Sequence, residues 1–328
     1  MKNALIFGVT GQDGAYLSKF LLDKGYNVSG TFRRTSHKCF ESLDEFQIFD
    51  RVNRIKADVT DPSSIQSAIR QSQPDEIYNL AAQSFVGASF QQPILTADIT
   101  AIGTLRVLDA LKENASDAKF YQASASEMFG NSPGIKDENS TFKPRNPYGT
   151  AKVFAHQMTN HYREAYNIFA CCGILFNHES SFRGIEFVTR RISWNLARIK
   201  FKKIEKFTLG NIHAKRDWGF AGDYVESMWL MLQQDKPDDY VIATGESHSV
   251  EEFLTLASEY AGLGDWHDFV EIDESNMRPT DIDELVGDSS KAREQLGWKP
   301  KMKFNDIIKH MVEYDMNYFK LRIEQFGN

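Results

Sequence analysis

Residues 3–22 read Asn3-Ala-Leu-Ile-Phe-Gly8-Val-Thr10-Gly11-Gln12-Asp13-Gly14-Ala-Tyr16-Leu17-Ser-Lys-Phe20-Leu21-Leu22. An apolar run enters a glycine loop, and the loop opens a helical apolar pattern. Three glycines at such a junction let backbone approach a pyrophosphate, whose charge the N-terminus of the following helix favours. A lone triplet is weak evidence, but one set between a strand and a helix is strong. A plain turn is the competing reading.

Working outward, the same rhythm repeats. Asn27–Phe32 reads as a second strand, followed by a strand at 52–57, a helix at 62–71, a strand at 76–80, a helix at 100–112 and a strand at 119–123. A long helix at 148–166 and a buried strand at 170–176 continue it. Such alternation predicts an α/β fold, a Rossmann-like, doubly wound parallel sheet covered on both faces. After Asn177 the rhythm breaks. Helices are expected at 186–199 and 223–234, with a short strand at 207–209 and a return strand at 240–244. Ser249-Val-Glu-Glu252 reads as a capping box, and 304–326 as an amphipathic helix with Ile307, Ile308, Met311 and Val312 inward. The expected division is a nucleotide-binding domain of residues 1–178, with a return segment near 212–245. A smaller, interwoven C-terminal substrate domain takes residues near 179–211 and 246–328.

A net charge of −7 over 328 residues argues against nonspecific nucleic-acid binding. The three cysteines, Cys39, Cys171 and Cys172, show no zinc spacing, so no metal is expected and all three read as packing thiols of a reducing compartment. The N-terminal apolar run is too short for a signal-peptide core, and no run approaches a membrane span. A cytoplasmic protein is the expectation.

The second strand ends in Thr31-Phe-Arg33-Arg34-Thr35-Ser36. An acidic residue there would bind the ribose 2′-hydroxyl of NAD, whereas two guanidiniums and two hydroxyls fit a 2′-phosphate, so NADP is the expected cofactor. A solvated basic turn is the alternative. Asp58, next to Val59, follows the third strand, where a carboxylate can contact the adenine amine. Capping of the helix that begins at Pro62 remains equally open.

Tyr148 and Lys152 stand four apart on a predicted helix and share a face. A tyrosine acting as base near neutrality must drop about three pK units, or ~4 kcal/mol. A nearby ammonium and a positive nicotinamide can supply that, so the pair points to hydride chemistry on an alcohol. Ser124-Ala125-Ser126-Glu127 lies at the carboxyl edge of the sheet, where such folds bind ligand. Strand alternation places Ala125 and Glu127 on one face, with Ser124 and Ser126 on the other. Glu127 offers a second acid/base group, fit for moving a proton on carbon. A surface or capping carboxylate is its alternative.

With these residues in hand, the chain resembles the extended short-chain dehydrogenases/reductases, and among them the GDP-mannose 4,6-dehydratase family. Besides the glycine loop, the resemblance rests on Tyr78-Asn-Leu-Ala-Ala-Gln-Ser84, Tyr121-Gln-Ala-Ser124 and Gly173-Ile-Leu-Phe-Asn-His-Glu-Ser180. It also rests on Leu209-Gly-Asn211, Ala214-Lys-Arg-Asp-Trp-Gly219 and Asp223-Tyr-Val-Glu226. The resemblance implies a carbon–oxygen lyase that converts GDP-mannose to GDP-4-keto-6-deoxymannose with a recycled NADP. Tyr148 would take the proton of the sugar O4. Glu127 would take the C5 proton and help expel the C6 hydroxyl. Lys152 would orient the ribose and lower the Tyr148 pKa. It further implies Leu80, Ala81, Ala82, Gln83, Ser84, His178 and Arg183 near the cofactor. Ser84, Asn177, Val188, Gly210 and Asp281 would contact the nucleotide sugar, with Arg216 and Arg278 as cations for its diphosphate. A homotetramer follows too, its Arg33–Ser36 loop reaching a neighbour's cofactor site.

The chain departs from that family's pattern at three places. Ala125 stands where a Thr or Ser would hydrogen-bond the substrate O4, and losing one such donor typically costs ~10²–10³ in rate. An ordered water or a displaced Ser126 would recover part of it. Ser181-Phe182 stands where Pro-Arg is common, and Leu95 where a tyrosine is common. Two other functions stay open: an NADP-dependent GDP-sugar reductase or epimerase, and a weakly active nucleotide-sugar-binding relative.

Overall fold

The run Ala4-Leu5-Ile6-Phe7 does not alternate because both of its faces are covered: all four side chains are buried. It belongs to β1 (Asn3–Phe7), an inner strand of a seven-stranded sheet in a computed structural model that describes residues 1–277 and 279–326. The other strands are β2 (Asn27–Phe32), β3 (Val52–Lys56), β4 (Glu76–Asn79), β5 (Lys119–Ala125), β6 (Ala170–Leu175) and an edge strand, Asp239–Ile242. Across the sheet the order is edge strand, β6, β5, β4, β1, β2, β3, with every pair parallel. The doubly wound sheet is therefore observed, with the return strand pairing beside β6.

The chain leaves β1 towards β2 on one side and returns to β4 on the other. This reversal opens a crevice at the carboxyl ends of β1 and β4. One face of the sheet is covered by helices Gln12–Asp23 and Ala221–Leu232, through Leu17, Leu21, Val225 and Met228. The other is covered by helices Pro62–Ser72 and Gly103–Asn114, through Ile65, Ile69, Val107 and Leu111.

A second apolar core gathers Ile192, Leu196, Phe253, Ile307, Ile308 and Met311. The capping box forms: Ser249 Oγ accepts from Glu252 N at 3.0 Å, and Glu252 Oε2 accepts from Ser249 N at 3.0 Å. Around this core run three small sheets, which pair Asn177–Glu179 with Trp218–Phe220, Phe207–Leu209 with Val270–Ile272, and Lys215–Arg216 with both His248–Ser249 and Glu284–Leu285. Ala292, Leu296 and Trp298 return to the core of the main sheet. Among the described residues no helix is long and apolar enough to cross a membrane.

Two elements differ from expectation in ways that matter for the crevice. The helix expected at 100–112 is preceded by helical chain from Pro93, with a π-helical stretch at Ala97–Ile102. That wider turn lets Thr100 Oγ1 accept from Gln83 N at 3.1 Å, so it pins the loop after β4. Strand β5 runs on to Ala125 and then turns at once into a 3₁₀ turn, Ser126–Met128.

Candidate active site

The glycine loop is shaped by contact as well as by conformation. Gly8 has φ +91°, and a Cβ there would meet Ala81 N at 3.1 Å. A Cβ on Gly14 would lie 2.4 Å from Gly8 O and 2.7 Å from Val9 Cα, so only glycine lets the helix sit this close to the strand. At Gly11 the nearest protein atom to such a Cβ is 3.5 Å away. The room above Gly11 belongs to the crevice, not to the fold. Gly11 is also the N-cap of helix Gln12–Asp23 and makes no side-chain cap bond, which leaves the first-turn N–H groups for a ligand. A pyrophosphate fits this cradle.

The crevice is a cleft of about 370 Å³ that runs from the loop to the second core. Gly8, Gly11, Gln12, Asp13, Gly14, Leu80, Ala82 and Ser84 line one part of it. Ala125, Ser126, Glu127, Tyr148 and Lys152 line the middle. Asn177, His178, Arg183, Val188, Gly210, Arg216 and Asp281 line the remainder. Thr10, Ala81, Gln83, Asp58 and Val59 do not face the cleft. Ala81 backs Gly8, while the Gln83 amide donates to Phe85 O. Asp58 Oδ1 accepts from Thr60 N and Thr60 Oγ1, a local turn. The residue that caps the helix at Pro62 is Asp61, through Ser63 N. Arg33 and Arg34 are exposed just beyond β2 and do not line the cleft. Arg278 lies outside the described residues.

Tyr148, Lys152 and Glu127 come together as expected. Helix Pro147–Tyr166 starts where Asn146 Oδ1 accepts from Gly149 N at 2.7 Å and proline takes the first helical position. The same asparagine donates from Nδ2 to Glu127 Oε2 at 2.7 Å. Asn146 therefore fixes the carboxylate to the start of the helix that carries the tyrosine. In the sequence the only signal for this residue is the Asn-Pro pair ahead of a helical pattern. Lys152 donates to Ala123 O at 2.6 Å, and its ammonium lies 5.7 Å from the centre of the Tyr148 ring.

One correction concerns how much of the expected drop at Tyr148 the protein supplies without the nicotinamide charge. Burial, and then the Glu127 charge, push the Tyr148 phenol up rather than down. Burial also lowers Lys152 to about 8. In the protein alone, burial and the Glu127 charge outweigh the lowering by the Arg183 guanidinium.

A second correction concerns the strand end. Alternation ceases at Ala125, because 126–128 is a 3₁₀ turn, so Ser126 and Glu127 both line the cleft. Ala125 is buried in an apolar cluster with Val86 and Tyr148. Ser124 points its hydroxyl to His156 Nδ1 at 3.0 Å. The Ser126 hydroxyl makes no hydrogen bond among the described residues.

His178 is bound on both nitrogens, by Phe176 O at 2.7 Å and Asp13 Oδ2 at 2.9 Å, and it stacks on Tyr224. Burial works against both charges, yet the pair raises His178 and lowers Asp13. Gln12 adds bonds to His178 O and Ser180 Oγ, so the loop is latched to the strand Asn177–Glu179. Arg183 lies 3.3 Å from Glu179, a buried carboxylate the sequence analysis did not single out. Arg216 reaches Asp281 at 3.2 Å and Ile282 O at 2.7 Å. The Ser181-Phe182 departure has a packing role. Ser181 O accepts from Arg190, and Phe182 packs on Tyr16 and Phe46. Leu95 is exposed on the short helix Pro93–Thr96.

A family model described as GDP-mannose 4,6 dehydratase matches residues 5–311. The chain is 52% identical to GDP-mannose 4,6 dehydratase 1 of Arabidopsis thaliana, over 97% of this chain and 91% of that protein. It is 44% identical to GDP-mannose 4,6 dehydratase of Homo sapiens, over 97% of this chain and 92% of that protein. A crystal structure of dTDP-glucose 4,6-dehydratase from Bacillus anthracis, in complex with NAD, superposes with a TM-score of 0.84 at 18% identity, over 98% of each chain. At that identity it shows the shared fold alone.

Proposed function

Because this chain belongs to the GDP-mannose 4,6-dehydratase family, we propose that it removes water from GDP-mannose to give GDP-4-keto-6-deoxymannose. The observation that carries the reading is Glu127, buried beside the Tyr148/Lys152 pair and held there by Asn146. Oxidising an alcohol needs one base. Eliminating water from C5 and C6 needs a second group that takes a proton from carbon.

The glycine cradle, the Leu80–Ser84 loop, Tyr148 and Lys152 would hold the dinucleotide, with Arg33 and Arg34 supporting NADP over NAD through its 2′-phosphate. Bound NADP supplies a hydride acceptor for C4, the same hydride for C6, and positive charge beside the buried phenol. Tyr148 holds the O4 proton while C4 is a ketone. Glu127 takes the proton from C5, made acidic by that ketone, and gives it to the C6 hydroxyl, which departs as water; when hydride returns to C6, the proton held by Tyr148 goes to C5. C4 is oxidised and C6 reduced by two electrons each, so no net redox change remains. Lys152 keeps the ribose end in place and holds the tyrosine-bearing helix to β5 through Ala123 O. Ser126 is the hydroxyl at the strand end left to serve O4 in place of residue 125.

Arg216, Asn177, Val188, Gly210 and Asp281 support binding of the nucleotide sugar from the far side of the cleft. The same reading takes the second core as a substrate lobe (about 179–211 and 246–328) against the sheet domain, and takes the exposed Arg33–Ser36 loop as a contact within a homotetramer. Three free thiols support a cytoplasmic enzyme. Ala125 favours a second reading, a weakly active binding relative. Incubation with GDP-mannose and catalytic NADP⁺ decides between them: a product 18 mass units lighter, roughly one water, supports the enzyme. No product from the wild type, with product from Ala125→Thr, supports the relative.

A further inference from the structure

Tyr148 and Lys152 are followed on the same stripe of their helix, four residues on, by His156. The mechanism gives it no part, yet it is buried at the junction of three strands. Its Nδ1 lies 3.0 Å from Ser124 Oγ on β5. Its Nε2 lies 3.5 Å from Asp239 Oδ2 on the edge strand and 3.3 Å from Asn160 Nδ2. Its carbonyl lies 3.9 Å from Cys172 Sγ on β6, and Phe142 packs edge-on against the ring at 5.1 Å. Asp239 is itself held by Arg163 and by Cys172 N. The Asn160 NH2 only donates, so Nε2 accepts from it and Nδ1 carries the ring proton towards Ser124 Oγ, with Asp239 a contact at 3.5 Å. Burial lowers His156 further and keeps the ring neutral.

We propose that His156 is a positioning residue. Through Ser124 it fixes the rotation and axial register of the helix carrying Tyr148 and Lys152 against the strand end carrying Ala125 and Glu127. Two adjacent residues of β5 take part: Ala123 O receives Lys152, and the Ser124 hydroxyl oxygen receives the His156 ring proton. A slip of this helix would move the phenol and the ammonium together, away from Glu127. The donor atoms of His156, Cys172 and Asp239 also lie within 4.8 Å of one another, a spacing open to a metal ion. Against a metal stand the Arg163 guanidinium bonded to the same carboxylate and the partners already on every donor atom.

The activity arm rests on the proposed dehydration; the titration arm does not. His156→Leu keeps bulk and removes the bond to Ser124, whereas His156→Gln can donate to Ser124 Oγ with Nε2 and accept from Asn160 with Oε1. In the folded His156→Leu protein, kcat is expected to fall about 10- to 100-fold with little change in KM, and His156→Gln to recover most of it. The Lys152 amine, followed by NMR, is expected to move from about 8 towards its ordinary 10.5 in the Leu variant and to stay in the Gln variant. If His156→Leu does not fold, Ser124→Ala cuts the same link from the strand and should give the same two changes. Where both variants fold, their effects should not add. An unchanged kcat and an unchanged Lys152 titration in a folded variant would overturn the proposal. So would a stoichiometric metal in the wild type whose removal by a chelator abolishes activity. A wild type without dehydratase activity sinks the proposed function, and the Lys152 titration then decides the positioning role alone.

Discussion

The two walls of the cleft are built by different means. The phosphate wall is backbone: Gly8, Gly11 and Gly14 act through what they lack, and the helix N-terminus supplies the donors. The sugar wall is side chain: Glu127, Tyr148, Lys152 and Arg216 arrive from three separate stretches of chain, with Glu127, Lys152 and Arg216 each held by a partner. The first wall tolerates almost no added atom but needs no particular charge. The second tolerates changes of size but depends on protons being in the right place. Substitutions should therefore separate binding of the dinucleotide from turnover of the sugar.

The strongest separation is expected at Glu127. Glu127→Gln keeps the Asn146 contact within reach and removes the base, so kcat should fall about 10²–10⁴-fold. Dinucleotide affinity, read by fluorescence titration, should not change. Because C4 oxidation does not need this carboxylate, some NADPH should accumulate, visible by absorbance. A variant that still dehydrates at the wild-type rate breaks the assignment of the sugar wall. Gly14→Ala is the converse. Its Cβ would sit 2.4 Å from Gly8 O, so the loop must open, and a loss of binding of about 100-fold, some 3 kcal/mol, is expected by calorimetry. Normal binding by that variant would show that the cradle is not set by backbone contact.

Ala125→Thr sharpens the comparison in the other direction. It adds a hydroxyl beside Tyr148 in place of a methyl packed with Val86. Restoring one donor to the developing charge should raise kcat about 10-fold or more. In the Thr variant Ser126→Ala should be nearly silent, whereas in the wild type it should slow turnover by a similar factor. Equal effects of Ser126→Ala in both backgrounds would remove Ser126 from the account.

Smaller effects lie in stability against pH. Lys152 falls to about 8 on folding from an ordinary 10.5. The unfolded chain therefore binds more protons between those values, and stability should rise with pH across that window. Below about 8 the burial cost is fully present, roughly 3 kcal/mol at 1.4 per unit. Melting curves of Lys152→Met should lack that rise. The Asp13–His178 latch runs oppositely. His178 is raised, so its contribution is complete below its unfolded value near 6.5 and is lost as pH climbs through the higher folded value. Asp13 is lowered, so its share is present above 3.8 and is lost as pH falls through its lower folded value. A weakening of dinucleotide binding at alkaline pH that disappears in His178→Asn would confirm the latch.

The same division explains what was legible in the sequence. The glycine loop, the sheet and the Tyr148/Lys152 pair rest on short-range pattern: a strand, a turn and a helix face. Their identity survives without knowing the fold. Asn146, Glu179 and His156 were not legible, because their roles depend on contacts between segments far apart in the chain. Asp239, for instance, lies 83 residues from His156, as the numbering gives, and meets it only across β6. Ser126 was misplaced for a local reason. Alternation is a property of extended chain, and a 3₁₀ turn starting at that residue ends it. The rise of the Tyr148 phenol in the protein alone was not legible, because spacing reports which charges are near, not how much water has gone.

The central claim is that one hydride leaves C4 and returns to C6 of the same sugar while Glu127 takes the C5 proton. GDP-mannose deuterated at C4, incubated with substoichiometric NADP⁺, tests it most directly by NMR of the product. The account predicts a 4-keto-6-deoxy sugar carrying the deuterium on C6, with no net gain of NADPH. Deuterium retained on the dinucleotide with stoichiometric NADPH, or no product from an enzyme that binds both ligands, would contradict it.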